Sequence, residues 1–306
     1  MSFSEDVRGE LAAIAPVRDC DRLAELSALF HFSGRLHLLG RGEVALHLDL
    51  ASSAVARRAF ALLRSFGVRS EIRTYSRRSF GRETRYQLHV EGGPRALQVL
   101  DEAGVVDARL APRERPPKRI VARSCCRSAY LRGALLASGS VSPPPSPHLE
   151  VRSESRAGAE AVAAAAAAEG AELRVAERKD HALAYAKGID RIAGALAAAG
   201  ANDAALALQE RAVMGETKAR ANRLANADHA NLVRTGRAAH VQIEAVRRLE
   251  RDRRLDELSP PLREMAGLRL RHPSLSTREL AAKCRPPASK AAAHRRLRSL
   301  VRLAQR

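Results

Sequence analysis

The sequence predicts an α+β protein in which a two-lobed, pseudo-symmetric N-terminal domain is joined by a helical linker to an all-α helix-turn-helix domain. Two observations predict it. The segment from Cys20 to Gly34 is written a second time from Cys125 to Gly139, and the likeness continues beyond the motif, the mark of an internal duplication. The C-terminus carries two short capped helical runs around a proline-containing turn, inside the most basic third of the chain. The expected boundaries are residues 1–110 and 111–201 for the two lobes, 202–257 for the linker and 258–306 for the helix-turn-helix domain.

Each element follows from local pattern. The two motif copies are Leu26-Ser27-Ala28-Leu29-Phe30-His31-Phe32-Ser33-Gly34 and Leu131-Arg132-Gly133-Ala134-Leu135-Leu136-Ala137-Ser138-Gly139, helical runs with small residues at their centres. After them Leu46-His47-Leu48 answers Leu149-Glu150-Val151, Gly67 answers Gly170 and Ile72 answers Val175, all 103 residues apart. Ala45, His47 and Asp49 alternate with Val44, Leu46, Leu48 and Leu50, which reads as a half-buried strand, and residues 54–66 have helical spacing that Gly67 stops. Each copy therefore reads as motif helix, strand, helix, strand, strand, helix. The alternative is two unrelated lobes of similar composition, which the common offset disfavours.

In the C-terminal third, Ser276 with Glu279 three residues on forms a capping box for a short helix through Lys283. Pro286 and Pro287 make the turn, and Ser289 caps a second helix with Leu297, Leu300 and Val301 as its apolar stripe. Leu262, Met265, Ala266, Leu268 and Leu270 supply the helix beneath the pair. In such a motif the second helix enters the major groove with its N-terminal half against base edges. The candidate DNA-binding residues are thus Ser276, Thr277 and Arg278 on the first helix and Ser289, Lys290, Ala292, Ala293, His294, Arg295, Arg296 and Arg298 on the second. Residues 209–255 read as a polar, Asn-rich helical linker.

The formal net charge is +19, and residues 211–306 hold 23 Lys or Arg against 9 Asp or Glu, an excess of 14 in the last third. Such a field attracts polyanions and gives salt-dependent affinity through counterion release. A solvated basic face is the plainer reading, and it loses ground because a DNA-reading motif lies in the same stretch. The hairpin around Tyr75, with Arg73, Arg77, Arg78 and Arg82, reads equally as a DNA-facing or a solubilising surface. The N-terminus has no secretory signal pattern, and the apolar run at residues 161–168 is far shorter than the roughly 20 residues of a membrane span. Cytoplasmic, nucleoid-associated localisation is expected. Cys20, Cys125, Cys126 and Cys284 show no C-x-x-C spacing, the histidines no metal-ligand pairing, and no phosphate-binding glycine loop or nucleophile-base set is present. The expectation is no cofactor and no metal site, with Cys20 and Cys125 as packing residues.

The nine-residue repeats resemble the motif helices of the LAGLIDADG homing endonucleases. That resemblance implies two helices packed through small residues, each delivering an acid one position before its closing glycine to a shared divalent metal. Here those positions are Ser33 before Gly34 and Ser138 before Gly139, degenerate motifs in which a neutral hydroxyl cannot replace a carboxylate that holds a hard cation. Over nearly the whole chain, the opening Ser2-Phe3-Ser4 with Val7, Glu10 and Leu11, the segment from Cys125 to Gly133, Ser138-Gly139-Ser140-Val141, His148-Leu149-Glu150, the block from Asn222 to Leu232, and Gln242-Ile243-Glu244 resemble the WhiA family of sporulation and cell-division regulators. Departures are Asp21, where the family often has a second Cys, the run Pro143-Pro144-Pro145 and the alanine-rich residues 162–168. The resemblance implies a sequence-specific DNA-binding transcription regulator of sporulation, cell division and chromosome segregation, without catalytic acids. Its expected partners are double-stranded promoter DNA and, beyond that, another transcription factor or a sigma factor. The alternative from the residues is a protein-interaction scaffold with accessory, non-specific DNA affinity, and an active endonuclease is disfavoured by the two serines.

Overall fold

The computed structural model describes residues 2–40, 43–77 and 83–305. Arg78 and Arg82 of the basic hairpin, and the side chain of Arg77, lie outside the described residues. The chain divides into two compact units, residues 1–216 and 217–306.

In the first unit, α1 (Phe3–Ala13) begins at a capping box built by Ser2 and Glu5, and its apolar face Phe3, Val7 and Leu11 is buried. The first lobe then runs α2 (Asp19–Ser33), β1 (Gly34–Gly40), β2 (Glu43–Leu50), α3 (Ser53–Ser65), β3 (Ser70–Arg77), β4 (Glu83–Val90) and α4 (Pro94–Glu102). The second lobe repeats it as α5 (Ser124–Ser138), β5 (Gly139–Ser142), β6 (His148–Ser153), α6 (Arg156–Ala168), β7 (Arg174–Glu177), β8 (Ala182–Lys187) and α7 (Ile189–Ala199). Each lobe has a four-stranded antiparallel sheet, in the orders β1-β2-β4-β3 and β5-β6-β8-β7. The registers repeat as well: Gly34 pairs with Leu48 as Gly139 pairs with Val151.

One feature differs from the sequence reading. Each lobe has one more strand than expected, because β1 and β5 start at the residue that ends the preceding helix. Gly34 and Gly139 cap their helices by donating to Phe30 O and Leu135 O and are already extended, so no turn residue punctuates the change. The β2 alternation is as read, with Val44, Leu46, Leu48 and Leu50 buried. Gly67 and Gly170 stop α3 and α6 with positive φ, the conformation in which a Cβ is strained.

The small residues of the motif helices let α2 and α5 pack backbone to backbone. A Cβ on Gly133 would lie 2.4 Å from Glu25 O and 2.8 Å from Ala28 Cβ. Ala24, Ala28, Ala129 and Ala134 are fully buried around that crossing.

A single long helix, α8 (Asn202–Arg251), follows. Ala204, Ala205 and Leu208 at its start join the core of the first unit, whereas Ala245, Val246 and Leu249 near its end join that of the second. The second unit is completed by α9 (Pro260–Arg271), α10 (Thr277–Lys283) and α11 (Lys290–Ala304) around Met265, Leu268, Leu280, Leu297 and Leu300. Among the described residues, no helix is long and apolar enough to cross a membrane.

Candidate nucleic-acid interface

The C-terminal module is pinned by local bonds that the sequence encodes. Glu279 N–H donates to Ser276 Oγ at 3.3 Å, and Ser276 N–H donates to the Glu279 carboxylate at 2.8 Å. These bonds hold the Glu279 carboxyl below its ordinary pKa. Ser289 Oγ accepts from Ala292 N–H at 3.1 Å and starts α11. The turn between is fixed from two sides, Ala288 N–H donating to Ala281 O at 2.9 Å and Arg285 N–H to the Glu264 carboxylate at 2.6 Å. Buried Arg269 donates to Leu275 O at 2.8 Å and Pro273 O at 3.3 Å, holding the loop that leads into α10.

On α11 the Lys290, His294, Arg295 and Arg298 side chains are exposed, the first, second and fourth following one another at four-residue spacing on one helix face. Arg278 and Ser289 are also exposed, and Ser276, Thr277, Ala292 and Arg296 are half-buried. Arg296 points inward enough to reach Cys284 Sγ at 3.7 Å. Ala293 is a correction: it is completely buried and packs with Leu297, Leu300 and Ala304, so it has no surface to offer to DNA. The i, i+4, i+7, i+11 spacing of these four residues was the signal for it.

In the first unit, the C-terminal ends of α2 and α5 open on a cleft of about 360 Å³. Ser33 and Ser138 line it together with Gly34 and Gly139. Both hydroxyls are turned onto main chain, Ser33 donating to Leu29 O and Ser138 to Arg152 O, each at 2.7 Å. Among the described residues, two carboxylates line the cleft and both are engaged: Asp49 accepts from Tyr75 Oη at 2.8 Å, and Glu154 pairs with Arg35 at 2.7 Å. Arg8, Arg35, Arg85 and Arg152 also line it, so its charge favours an anion over a divalent cation. Of the basic hairpin, Arg73 is paired with Glu71 at 2.8 Å and Tyr75 is committed to Asp49.

His31, in the first motif helix, meets Ser27 Oγ through Nδ1 at 3.3 Å, and its buried Nε2 has no hydrogen-bond partner. Burial pulls its pKa from 6.5 to about 4, against the smaller opposing influence of the neighbouring Ser27 and Arg113 main chain. The unfolded chain therefore takes up a proton that the folded chain refuses. The stability this neutral ring preserves is complete above the unfolded pKa of 6.5 and is lost as pH falls from there toward 4. At about 1.4 kcal/mol per unit the loss is roughly 3 kcal/mol. Urea unfolding of the first unit across that window should show this extra loss in the protein and not in a His31→Gln variant. Parallel pH profiles would refute it.

At the opposite ends of the same two helices, Cys20, Asp21, Cys125 and Cys126 converge, their sulfur and oxygen atoms all within 4.8 Å of one another. Burial, and then hydrogen bonds with Cys20 and Cys125, push the Cys126 thiol up to about 12. Sequence reading missed the cluster, because it looked for ligands spaced along the chain, whereas these sit at equivalent positions of two copies. The repeat offset was the signal.

Duplicated lobes meeting through glycine- and alanine-rich helices, with a capped and basic helix pair at the C-terminus, define a LAGLIDADG-type domain carrying a helix-turn-helix module. Family models match in that order: the WhiA N-terminal LAGLIDADG-like domain over residues 19–106, the WhiA LAGLIDADG-like domain over 127–218 and the WhiA C-terminal HTH domain over 221–304. A protein of Symbiobacterium thermophilum named probable cell division protein WhiA is 38% identical, the alignment covering 100% of this chain and 98% of that one. Its namesake in Heliobacterium modesticaldum is 34% identical over 100% and 96%. The chain belongs to the WhiA family. The fold matches the crystal structure of full-length DUF199/WhiA from Thermatoga maritima with a TM-score of 0.57 at 20% identity, covering 100% of this chain and 98% of that one.

Proposed function

We propose that this protein is a sequence-specific DNA-binding transcription regulator acting in sporulation, cell division and chromosome segregation, and that its endonuclease-type scaffold does not cut DNA. The observation that carries the reading is the exposed basic face of α11, set on a capped, buried-core helix pair. A first helix ending in a fixed turn orients the second toward a groove, and Lys290, His294 and Arg295 lie in the half that meets base edges. Among the candidate residues, the exposed Arg278 and Arg298 suit phosphate contacts, which position a protein without carrying sequence information. The reading assigns specificity to the C-terminal part of the chain, from about residue 202 onward. Any DNA affinity of the two lobes is then salt-sensitive and indifferent to sequence.

The test is the full-length protein on a genomic site found by crosslinking. Arg295→Ala should weaken specific binding by about 1–3 kcal/mol, roughly 5- to 150-fold, and relax the preference at one base pair. An equal loss on random DNA would make Arg295 a phosphate contact. If neither Arg295→Ala nor Lys290→Ala changes binding, α11 is not the reader and the lobes act as an interaction scaffold.

Catalytic silence rests on Ser33 and Ser138, whose hydroxyls bond to main-chain carbonyls beside four arginines. The protein incubated with Mg²⁺ should leave a supercoiled plasmid bearing its own site intact. Nicking that chelation abolishes would refute this part of the reading.

A further inference from the structure

The starts of the motif helices bring three thiols and a carboxylate together at the edge of the core, where Cys126 is buried and Cys20 and Cys125 pack against it. Neither α2 nor α5 has a side-chain N-cap, since Arg18 and Arg123 occupy those positions without a capping bond. The second and third residues of each helix are Cys20 and Asp21 in one, and Cys125 and Cys126 in the other. The pseudo-two-fold relation of the lobes turns these two pairs toward each other, so that three sulfurs and one carboxylate meet from segments 105 residues apart.

All four donor atoms lie within 4.8 Å of one another, close enough to reach one ion after small side-chain adjustments. Around one tetrahedral ion with a Zn–S distance of about 2.3 Å, two sulfurs stand about 3.8 Å apart; a sulfur and an oxygen, with Zn–O about 2.0–2.2 Å, stand about 3.5–3.6 Å apart. Cys125 Sγ and Cys126 Sγ are 3.9 Å apart, and Cys20 Sγ lies 3.5 Å from Asp21 Oδ1. Charge is provided for too. Three thiolates and a carboxylate around a divalent ion leave a net charge of −2. The Arg18 guanidinium stands 3.8 Å from Cys125 Sγ, and both helix N-termini point their positive ends at the cluster.

We propose that Cys20, Asp21, Cys125 and Cys126 bind a single structural Zn²⁺ that clasps the starts of α2 and α5. Thiolate-rich, four-coordinate surroundings select zinc over the hard cations Mg²⁺ and Ca²⁺. With four protein ligands the ion has no open position, so it stabilises the lobe junction and activates no water. The site is independent of DNA reading by α11, and it stands at the other end of the helices from Ser33 and Ser138.

The full-length, untagged protein, purified under reducing conditions and without chelator, should carry one zinc per chain by elemental analysis. Replacement by Co²⁺ should give the intense visible bands of tetrahedral thiolate coordination. Cys20→Ser and Cys125→Ser, at half-buried positions, should each weaken zinc binding by more than about 100-fold, beyond the roughly 10- to 100-fold of losing an outer-shell partner. Asp21→Cys, which completes a four-thiolate set, should keep the metal and shift the Co²⁺ charge-transfer spectrum. Cys284→Ala, in the other unit, should leave both readouts unchanged. Circular dichroism separates loss of ligand from loss of fold, and Asp21→Cys keeps the test decisive if the serine variants unfold. Absence of zinc after loading of the reduced protein would overturn the proposal, as would zinc retained in the folded Cys20→Ser/Cys125→Ser double variant, or isolation of the reduced preparation as a Cys20–Cys125 disulfide without metal.

Discussion

Glu25→Ala should destabilise the first unit by about 3–5 kcal/mol, the cost of leaving a buried charge without its partner. Glu25 is completely buried in α2. Its carboxylate accepts a two-pronged bond from Arg58 of α3, at 2.7 and 3.0 Å, and a third from Arg132 of α5 at 2.9 Å. Arg132 also donates to Ala199 O at 3.4 Å, so one acid in the first lobe holds an arginine of the second. Removing it leaves two guanidiniums 8% exposed facing each other with nothing between them. The network defines which surfaces meet more than it adds net stability, since desolvation offsets much of the Coulomb gain. The triple variant Glu25→Leu, Arg58→Met, Arg132→Met should therefore recover most of the loss. Urea midpoints of the single and triple variants measure both quantities. A Glu25→Ala cost below about 1 kcal/mol, the value of an exposed pair, would show that the triad is solvated.

The second large effect lies at the same helix crossing. Gly133→Ala should cost about 3 kcal/mol or more, at the upper end of overpacked cores, even though alanine favours a helix by about 0.5–1 kcal/mol over glycine. The new methyl would sit 2.4 Å from the Glu25 carbonyl, which is main chain and has no rotamer to escape into. Gly194→Ala, in α7, is the internal control, because a Cβ there meets nothing within 4 Å. That variant should be slightly stabilised. If the two substitutions shift the unfolding midpoint alike, α2 and α5 do not approach as closely as the structure has them.

Much of the architecture was legible from short-range chemistry. The β2 alternation, the glycines that stop α3 and α6, and the serine caps of α10 and α11 each involve a handful of neighbouring residues, and local sterics and hydrogen bonding decide them. Duplication was legible too, because two copies of one pattern can be laid over each other without knowing how they pack. β1 and β5 escaped notice because helix passes into strand at one glycine with no turn between. Ala293 was misplaced for a subtler reason. Alanine suits a surface or a core equally, and only the neighbours on its face, Leu297 and Leu300, bury it.

What the sequence by itself determined is the pair of lobes, the basic helix pair at the C-terminus and the serines, Ser33 and Ser138, that end the two motif helices. Only the tertiary structure decided which distant groups share a volume. Glu25 becomes a buried anchor because Arg58 and Arg132 arrive from other helices, and Cys20 meets Cys125 because the two lobes are related by a pseudo-two-fold axis. Backbone propensity acts over three or four residues, and these encounters join segments as many as 107 apart. They are fixed by the glycine that lets α2 and α5 touch.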